Sequence, residues 1–139
     1  MSAPREGVVI IVRRGDQLLV IRRAEGILAA GAWCFVGGGI ELGESQSEAV
    51  VREFREEVGG RVRPICKVWE YLRPDGQLRL HWWLAELISD ELVANTEEVS
   101  ELRWHTRDEI QRLPGLLESN REFLTLLDQR LGFDAPTTD

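Results

Sequence analysis

The chain opens with two short apolar runs that predict a pair of neighbouring strands. Residues 7–12 and 17–21 are rich in Val, Ile and Leu, and the Arg-Gly-Asp sequence between them is typical of a turn. Because both runs are almost continuously apolar, we expect both faces of each strand to be buried. An irregular segment at 25–32 leads to a third short strand at 33–36, which runs into a loop of three consecutive glycines.

A helix is predicted from residue 46 to residue 58. Ser45 and Glu48 have the spacing of a capping box, and two consecutive glycines after residue 58 are a typical C-terminal stop. Four bulky apolar side chains fall on one arc and predict the buried face of this helix: Val50, Val51, Phe54 and Val58.

The second half of the chain predicts a hairpin followed by one more strand. Residues 65–72 and 78–87 flank an Arg-Pro-Asp-Gly turn, and the second segment alternates apolar and polar side chains. Residues 98–104 have the composition of a further strand.

Two helices are predicted at the end of the chain, a short one capped by Thr106 and a longer one capped by Ser119. The longer helix carries an apolar stripe of Phe123, Leu126, Leu127 and Leu131. Strands and helices therefore mix without regular alternation. This order indicates an α/β (α+β) fold, in which a mixed β-sheet is flanked by helices.

The length and composition indicate one domain, residues 1–139. A chain of 139 residues with 43% hydrophobic content can bury a single core, and no repeat or linker divides it. The polar residues 132–139 predict a disordered tail. The N-terminus lacks the pattern of a signal peptide and no apolar run has the length of a membrane span, so we expect a cytoplasmic protein with no membrane partner. The oligomeric state, monomer or homodimer, is left open.

The charge of the chain restricts the class of partner. A net charge of −7 argues against a nucleic-acid partner, because binding a phosphate backbone needs a basic surface. It does not argue against a small anionic substrate, since a bound divalent metal supplies positive charge locally. Cys34 and Cys66 are far apart and have no zinc-site spacing, so we expect buried free thiols.

The predicted helix at 46–58 carries the candidate chemistry. At 100° per residue, Glu53, Glu56 and Glu57 crowd within about 100° of one another, where their like charges repel. Magnesium prefers such carboxylate oxygens and would remove the repulsion. The alternative is a solvated acidic face. The preceding glycines favour a site, because a glycine-rich segment entering a helix lets backbone and carboxylates approach a phosphate or a metal.

This segment resembles the Nudix box, usually written G-x5-E-x7-R-E-U-x-E-E-x-G-U with U a bulky apolar residue. All seven fixed letters match, at positions Gly38, Glu44, Arg52, Glu53, Glu56, Glu57 and Gly59. Two positions depart from the pattern, Gly60 in place of an apolar residue and Val36 in place of a frequent proline. The resemblance, to the MutT-like branch, covers about residues 6–131.

The resemblance implies a Nudix-type α/β/α sandwich and a set of roles for the box residues. Glu53, Glu56 and Glu57 would coordinate Mg²⁺, with Mn²⁺ as an alternative cofactor, and the carbonyl of Gly38 would join the metal shell. Arg52 would orient a glutamate by ion pairing. The remaining matched or neighbouring positions would support the loop and helix geometry: Gly37, Gly39, Glu44 and Gly59. For Glu44, hydrogen bonding of loop amides is an equal alternative.

A general base is also needed, to take a proton from the attacking water. Glu53 is one candidate. The others are the glutamates of the loop expected before the last strand, Glu97, Glu98 and Glu101, of which we favour Glu98; a solvated carboxylate is its alternative role.

The resemblance also implies substrate contacts outside the box. Arg23 would reach phosphates, or else form a surface ion pair. Phe35 and Asn120 would contact the base, or else serve as a core residue and a first-turn helix residue. We expect at most one or two of the five tryptophans to line the site.

The implied reaction is hydrolysis of a phosphoanhydride bond in a nucleoside-diphosphate-linked substrate. A (d)NTP pyrophosphohydrolase giving a nucleoside monophosphate and pyrophosphate is the leading hypothesis. Dinucleoside polyphosphates, nucleotide sugars and capped RNA are alternatives with the same box, and the acidic balance makes RNA the least favoured. A non-catalytic nucleotide sensor is the alternative from another class.

Overall fold

The first strand pairs with three other strands and lies at the centre of the sheet. The structure is a computed structural model that describes residues 3–89 and 91–127. The strands are β1 (Arg5–Arg14), β2 (Gln17–Arg23), β3 (Trp33–Cys34), β4 (Val36–Gly39), β5 (Val62–Leu72), β6 (Leu78–Leu87) and β7 (Val99–Thr106). The helices are α1 (Gln46–Val58), α2 (Arg107–Gln111) and α3 (Glu118–Leu126). Strand order is β3-β2-β1-β6-β5, with β4 also paired to β1 and β7 to β2. The β1–β6 pair is parallel and the others are antiparallel, which confirms the predicted mixed sheet flanked by helices.

The sheet splits along β1, and this split creates the space for a site. Residues 7–10 of β1 pair with β4, whereas Arg13 and Arg14 at the other end pair with β2. Because β2 and β4 pair with different halves of β1, the far end of β2 diverges from β4. A cleft therefore opens between β4 and the β2–β3 side of the sheet.

Strand β1 is buried on both faces, as its apolar run predicted. Val8, Ile10 and Val12 belong to the core cluster that includes the buried side of α1. Val9 and Ile11 belong to the second cluster, which α2 and α3 cover. The alternation of side chains along a strand thus divides the apolar run between two cores.

Helix α1 has the bounds and caps that the sequence predicted. The Ser45 hydroxyl accepts a hydrogen bond from the Glu48 N–H at 3.1 Å, and the Glu48 carboxylate accepts from the Ser45 N–H at 2.9 Å. Gly59 ends the helix at φ 68°, in the left-handed region that favours glycine. Val51 does not lie on the buried face as predicted. It is 39% exposed, because it lies 100° around the helix from the buried Val50.

Gly60 departs from the box pattern for a packing reason. A Cβ atom there would lie 2.4 Å from Cδ2 of Leu92 and 2.6 Å from Cε2 of Phe54. These two side chains therefore occupy the space that an apolar residue at position 60 would fill.

Two predictions about irregular segments were wrong. Glycines 37–39 do not form a loop; they belong to β4 and pair with β1, since the backbone can pair without side chains. Glu101 does not lie in a loop before the last strand. It lies within β7, where it pairs with Arg22 of β2.

The start of α3 also differs from the prediction. Leu117 is the N-cap residue and makes no side-chain cap, so Ser119 lies inside the first turn. The Leu117 N–H donates to the Trp33 carbonyl at 3.0 Å, and Leu116 bridges to Trp33. This backbone tether to β3 fixes where the helix begins. Leu131 and the predicted tail at 132–139 lie outside the described residues.

The two cysteines differ in their exposure. Cys34 is a buried free thiol as predicted, but Cys66 is exposed, because β5 is an edge strand. Among residues 3–89 and 91–127, no helix combines the length and apolarity needed to cross a bilayer.

We expect Ser45→Ala to destabilise the fold by about 1 kcal/mol, because it removes the acceptor for an N–H in the first turn of α1. Urea unfolding measures the loss. Ser47→Ala is the matched control, since the hydroxyl of Ser47 contacts only that of Ser45 among the contacts found within the described residues. An equal loss in both variants would contradict the capping role.

Candidate active site

Arg52 is the centre of a network on the β4 side of α1. Its Nε and Nη2 atoms bind the two carboxylate oxygens of Glu44 at 2.6 and 2.9 Å. Its Nη1 atom donates to Glu53 at 3.0 Å and to Glu56 at 3.1 Å, and its Nη2 atom also donates to the carbonyl of Gly39 at 2.8 Å. The planar fork of arginine suits this geometry and fixes three carboxylates relative to β4.

Glu44 joins the loop before α1 to this network. Its carboxylate also accepts a hydrogen bond from the Glu41 N–H at 3.0 Å. The hydrogen bond from Arg52, followed by the one from Glu41, lowers the pKa of Glu44 to about 2. Both alternatives for Glu44, support of the loop–helix geometry and bonding of a loop amide, are therefore present in one side chain.

Glu53 and Glu57 form a buried carboxyl pair. They are 9% and 7% exposed, and their side chains are hydrogen-bonded to each other. Burial raises the pKa of both groups, and for Glu57 the hydrogen bond and charge of Glu53 raise it further, to about 9. Such a pair needs a proton or a cation to compensate the buried charge.

The glycines of β4 allow this pair to approach the sheet. A Cβ atom on Gly38 would lie 2.2 Å from the Glu53 carboxyl group, so only glycine leaves room for it there. A Cβ atom on Gly37 would lie 2.4 Å from the carbonyl oxygen of Val8, whereas one on Gly39 would meet open space. Gly38 is therefore the position at which the missing side chain makes room for the carboxylate.

Glu56 lies apart from the buried pair. Its side chain is 52% exposed and turns towards Arg52. Within the described ranges, no three His, Cys, Asp or Glu side chains converge in the arrangement of a metal site. The structure thus brings Glu53 and Glu57 together at Gly38 and leaves Glu56 on the outer side of α1.

The three further glutamates have different surroundings. Glu101 forms ion pairs with Arg103 at 2.8 Å and Arg22 at 3.2 Å, and the hydrogen bonds from these arginines lower its pKa. Glu98 is exposed but lies close enough to Glu57 for its charge to raise the pKa of that group. Glu97 is exposed, and its N–H donates to the side chain of Asn95. Of the three, Glu98 is the one whose charge reaches the buried pair.

A cavity of about 730 Å³ occupies the cleft in the sheet. Glu57, Gly38 and Arg23 line one part of it, and Phe35 and Asn120 line another. The volume lies within the range of about 300–1,000 Å³ that is usual for small-molecule sites. The cavity therefore joins Glu57 of the carboxyl pair to the three residues that the resemblance assigned to substrate.

Arg23 connects the cavity wall to the loop after β2. Its Nε atom donates to the Leu28 carbonyl at 2.7 Å, and its charge acts on both Cys34 and Glu57. Burial raises the pKa of the Cys34 thiol to about 11, against the opposing effect of Arg23. Arg23 is thus a cation beside the carboxyl pair and makes no surface ion pair in the described structure.

Phe35 and Asn120 hold each other in place. The Asn120 Oδ1 atom accepts a hydrogen bond from the Phe35 N–H at 2.8 Å, and the two residues are 3% and 2% exposed, respectively. Phe35 packs edge-on against Trp82 and Phe123. Both residues therefore combine the core role with a position on the cavity wall.

Sequence reasoning missed much of the cavity wall. The lining residues that it did not assign include Glu6, Cys34, Tyr71, Arg73, Leu80 and Glu118. Cys34 could have been found from its place in the strand that leads into the glycines. The others come from distant segments and carry no local signal. The aromatic residues among the described lining are Phe35 and Tyr71, and the tryptophans lie elsewhere.

The raised pKa of Glu57 predicts that the free energy of unfolding, measured in EDTA, depends on pH. Because the pKa of Glu57 is raised from 4.5 to about 9, the folded chain keeps a proton that the unfolded chain releases between these values. This group therefore contributes stability that is present at low pH and is lost as the pH rises towards about 9. Urea titrations at several pH values measure the slope of the free energy of unfolding.

Glu57→Gln should make this slope flatter than in the wild type. Glu56→Gln is the matched control on the exposed side of the same helix and should keep it. Equal slopes in the wild type and Glu57→Gln would contradict the burial of an ionisable pair.

Known proteins resemble this chain over most of its length. The model of the NUDIX domain matches residues 3–127. The NAD-capped RNA hydrolase NudC of Stutzerimonas stutzeri is 32% identical over 130 residues, which cover 93% of this chain and 46% of that protein. A putative 8-oxo-dGTP diphosphatase of Bacillus subtilis is 31% identical over 114 residues, which cover 82% of this chain and 72% of that protein. The chain thus spans about half the length of the first of these relatives.

Solved structures agree on the fold. The MutT protein of Methanosarcina mazei superposes with a TM-score of 0.79 at 22% identity, over 93% of this chain and 96% of that one. This likeness concerns the arrangement of strands and helices. The match to the domain model over residues 3–127 shows that the chain belongs to the Nudix family of hydrolases.

Proposed function

We propose that this chain is a magnesium-dependent pyrophosphohydrolase of nucleoside triphosphates, which releases a nucleoside monophosphate and pyrophosphate. The observation that carries the proposal is the buried pair of Glu53 and Glu57: Glu53 lies against Gly38, and both Gly38 and Glu57 line a cavity large enough for a nucleotide. Family membership supports the reaction class, and the substrate and residue roles below are our assignments.

The donor atoms at this wall fit a hard divalent cation. Glu53 and Glu57 offer carboxylate oxygens that lack full compensation by positive charge, and the backbone of Gly38 lies beside them. We assign Glu56 as a further ligand, which would have to turn from Arg52. When bound, Mg²⁺ or Mn²⁺ would polarise the phosphoryl oxygens and acidify the attacking water.

The side chains of the protein would then hold the metal ligands and the substrate in position and take a proton from the attacking water. Arg52 would hold Glu53 in place through its fork on Glu44, so its role is positioning. Glu98, whose charge already reaches Glu57, would accept the proton of the water, with Glu53 as the alternative base. Arg23 would bind a phosphate, since it lines the cavity beside Glu57 and its Nε atom is anchored on the carbonyl of Leu28.

The base would occupy the part of the cavity that Phe35 and Asn120 line. The Oδ1 atom of Asn120 is taken by the Phe35 N–H, and its Nδ2 atom donates to Ser119 at 3.3 Å, so the second Nδ2 hydrogen would read the polar edge of a base. The relative from Bacillus subtilis, named as a putative 8-oxo-dGTP diphosphatase, is compatible with a nucleoside triphosphate in this part of the cavity.

A second candidate is a diphosphate that joins two nucleosides. Leu28 lines the cavity mouth beside Arg23 and is 81% exposed, so it offers an apolar contact beyond the phosphates. A second organic group would suit that contact better than free pyrophosphate would. The relatives named NAD-capped RNA hydrolases favour this substrate class, although the net charge of −7 argues against the RNA part.

A substrate panel with magnesium tests the proposal. It comprises nucleoside triphosphates, oxidised dNTPs, dinucleotides including NAD, and nucleotide sugars, with products resolved by chromatography. We expect a monophosphate and pyrophosphate from at least one triphosphate, and no product with EDTA. Glu57→Gln should lower the rate at least 100-fold, which is on the order of the effect of losing one electrostatic contact in an active site.

The controls separate the assigned roles. Glu98→Gln should lower the maximal rate, whereas Glu97→Gln on the same segment should not; an unchanged rate in Glu98→Gln would remove it from the mechanism. Products from dinucleotides alone would select the second candidate. Tight nucleotide binding without magnesium-dependent product would favour a nucleotide sensor.

Gly38→Ala should lower activity at least tenfold, because its methyl group would displace the Glu53 carboxyl group that lies 2.2 Å away. Steady-state rates against magnesium concentration measure the effect. Gly39→Ala adds the same methyl group to the same strand in open space and should cost much less. Equal losses would show that the strand tolerates no alanine and would contradict the specific role of Gly38.

A further inference from the structure

We infer that Tyr71, at the end of β5, is the residue on which the substrate base stacks. This assignment rests on the proposed function and adds the element that recognises a planar heteroaromatic group. It concerns a residue that lies outside the box, on the far side of the cavity from the carboxyl pair.

The cavity wall leaves few surfaces for stacking. Of its described lining residues, Phe35 and Tyr71 are the aromatic ones. Phe35 is 2% exposed, and Trp82 and Phe123 pack against its ring in edge-on geometry. Tyr71 is only partly buried and borders the cavity, so its ring has surface left for a ligand.

The ring of Tyr71 is supported from behind. It packs on Trp69 at a centroid distance of 5.6 Å, and Trp69 in turn packs on Trp82 at 5.2 Å and on Phe123 at 5.8 Å. Trp82 and Phe123 are stacked at 4.5 Å within the core. A ring backed by a buried aromatic cluster loses little conformational freedom when a ligand binds, which favours affinity.

Tyr71 also lies at the correct end of the cavity. In the sheet order β3-β2-β1-β6-β5, Arg23 at the end of β2 and Tyr71 on β5 lie on opposite sides of β1. Leu80 pairs with Tyr71, and it also lies 3.0 Å from the position of a Cβ on Gly7 of β1. The cavity therefore runs from the phosphate-binding end, across β1 and β6, to Tyr71, as a ligand with a phosphate at one end and a base at the other requires.

The neighbours of Tyr71 complete a slot for a flat group. Leu78, Leu80 and Val9 supply apolar wall, and Asn120 supplies a buried amide. Stacking holds a base by its face and leaves its edge to hydrogen-bonding groups, so Tyr71 and Asn120 would make complementary contacts.

The test measures binding without turnover. Isothermal titration calorimetry follows AMP and GMP, with ribose 5-phosphate as the probe that lacks a base. We expect Tyr71→Leu to weaken binding of AMP and GMP by roughly tenfold or more, and to leave ribose 5-phosphate unaffected. Tyr71→Phe keeps the ring and should bind as the wild type does. With a nucleotide substrate, Tyr71→Leu should raise KM and change kcat little.

Leu72→Ala is the matched control, because neighbouring side chains on a strand point to opposite faces of the sheet. The thermal unfolding midpoints of Leu72→Ala and Tyr71→Leu report whether each variant is folded. Wild-type affinity of Tyr71→Leu for AMP and GMP would overturn the inference, as would an equal loss for ribose 5-phosphate or a wild type that binds no nucleoside monophosphate. Tyr71-dependent binding with no turnover of any nucleotide would overturn the proposed function and leave the stacking assignment standing.

Discussion

The burial of two carboxyl groups at the junction of α1 and β4 is the constraint on which the site depends. Moving Glu53 and Glu57 out of water costs free energy that only a proton, a cation or a hydrogen-bond donor can offset. Arg52 supplies part of this compensation to Glu53, and its remaining donors hold Glu44 and the Gly39 carbonyl. The helix, the loop before it and the strand are thereby fixed to one another around a carboxyl pair whose ionised form is only partly compensated.

The parts of this arrangement that the sequence predicts are those with local causes. Helical periodicity places Glu53 and Glu57 on one side of α1, and the bonds between Ser45 and Glu48 close within one turn. Gly59 ends the helix because its left-handed conformation favours glycine. The fold class follows similarly, since the order of apolar segments limits how strands and helices pack.

The parts that the sequence does not predict have causes far along the chain. The glycines of β4 form a strand because β1 offers them partners, and α3 begins at Glu118 because Leu117 is tied to Trp33. Val51 and Cys66 are apolar enough to suggest burial, yet the helix rotation and the sheet edge expose them. Cavity residues such as Tyr71 become neighbours of the site only through the pairing of β5, β6 and β1.

The charges around the cavity connect these observations to the proposed chemistry. Arg52 is engaged by four carboxylates and a carbonyl, and Arg73 at the other end is paired with Asp75. Of the arginines that line the described wall, Arg5, Arg23 and Arg73, Arg23 is the one whose charge acts on Glu57. A polyphosphate carries more negative charge than Arg23 alone balances. Glu98 would repel it, and so would Glu57 once it gives up the proton that its raised pKa retains. The protein's own charges therefore oppose the substrate class that the cavity suits, and a divalent cation held by the same glutamates would reverse that opposition.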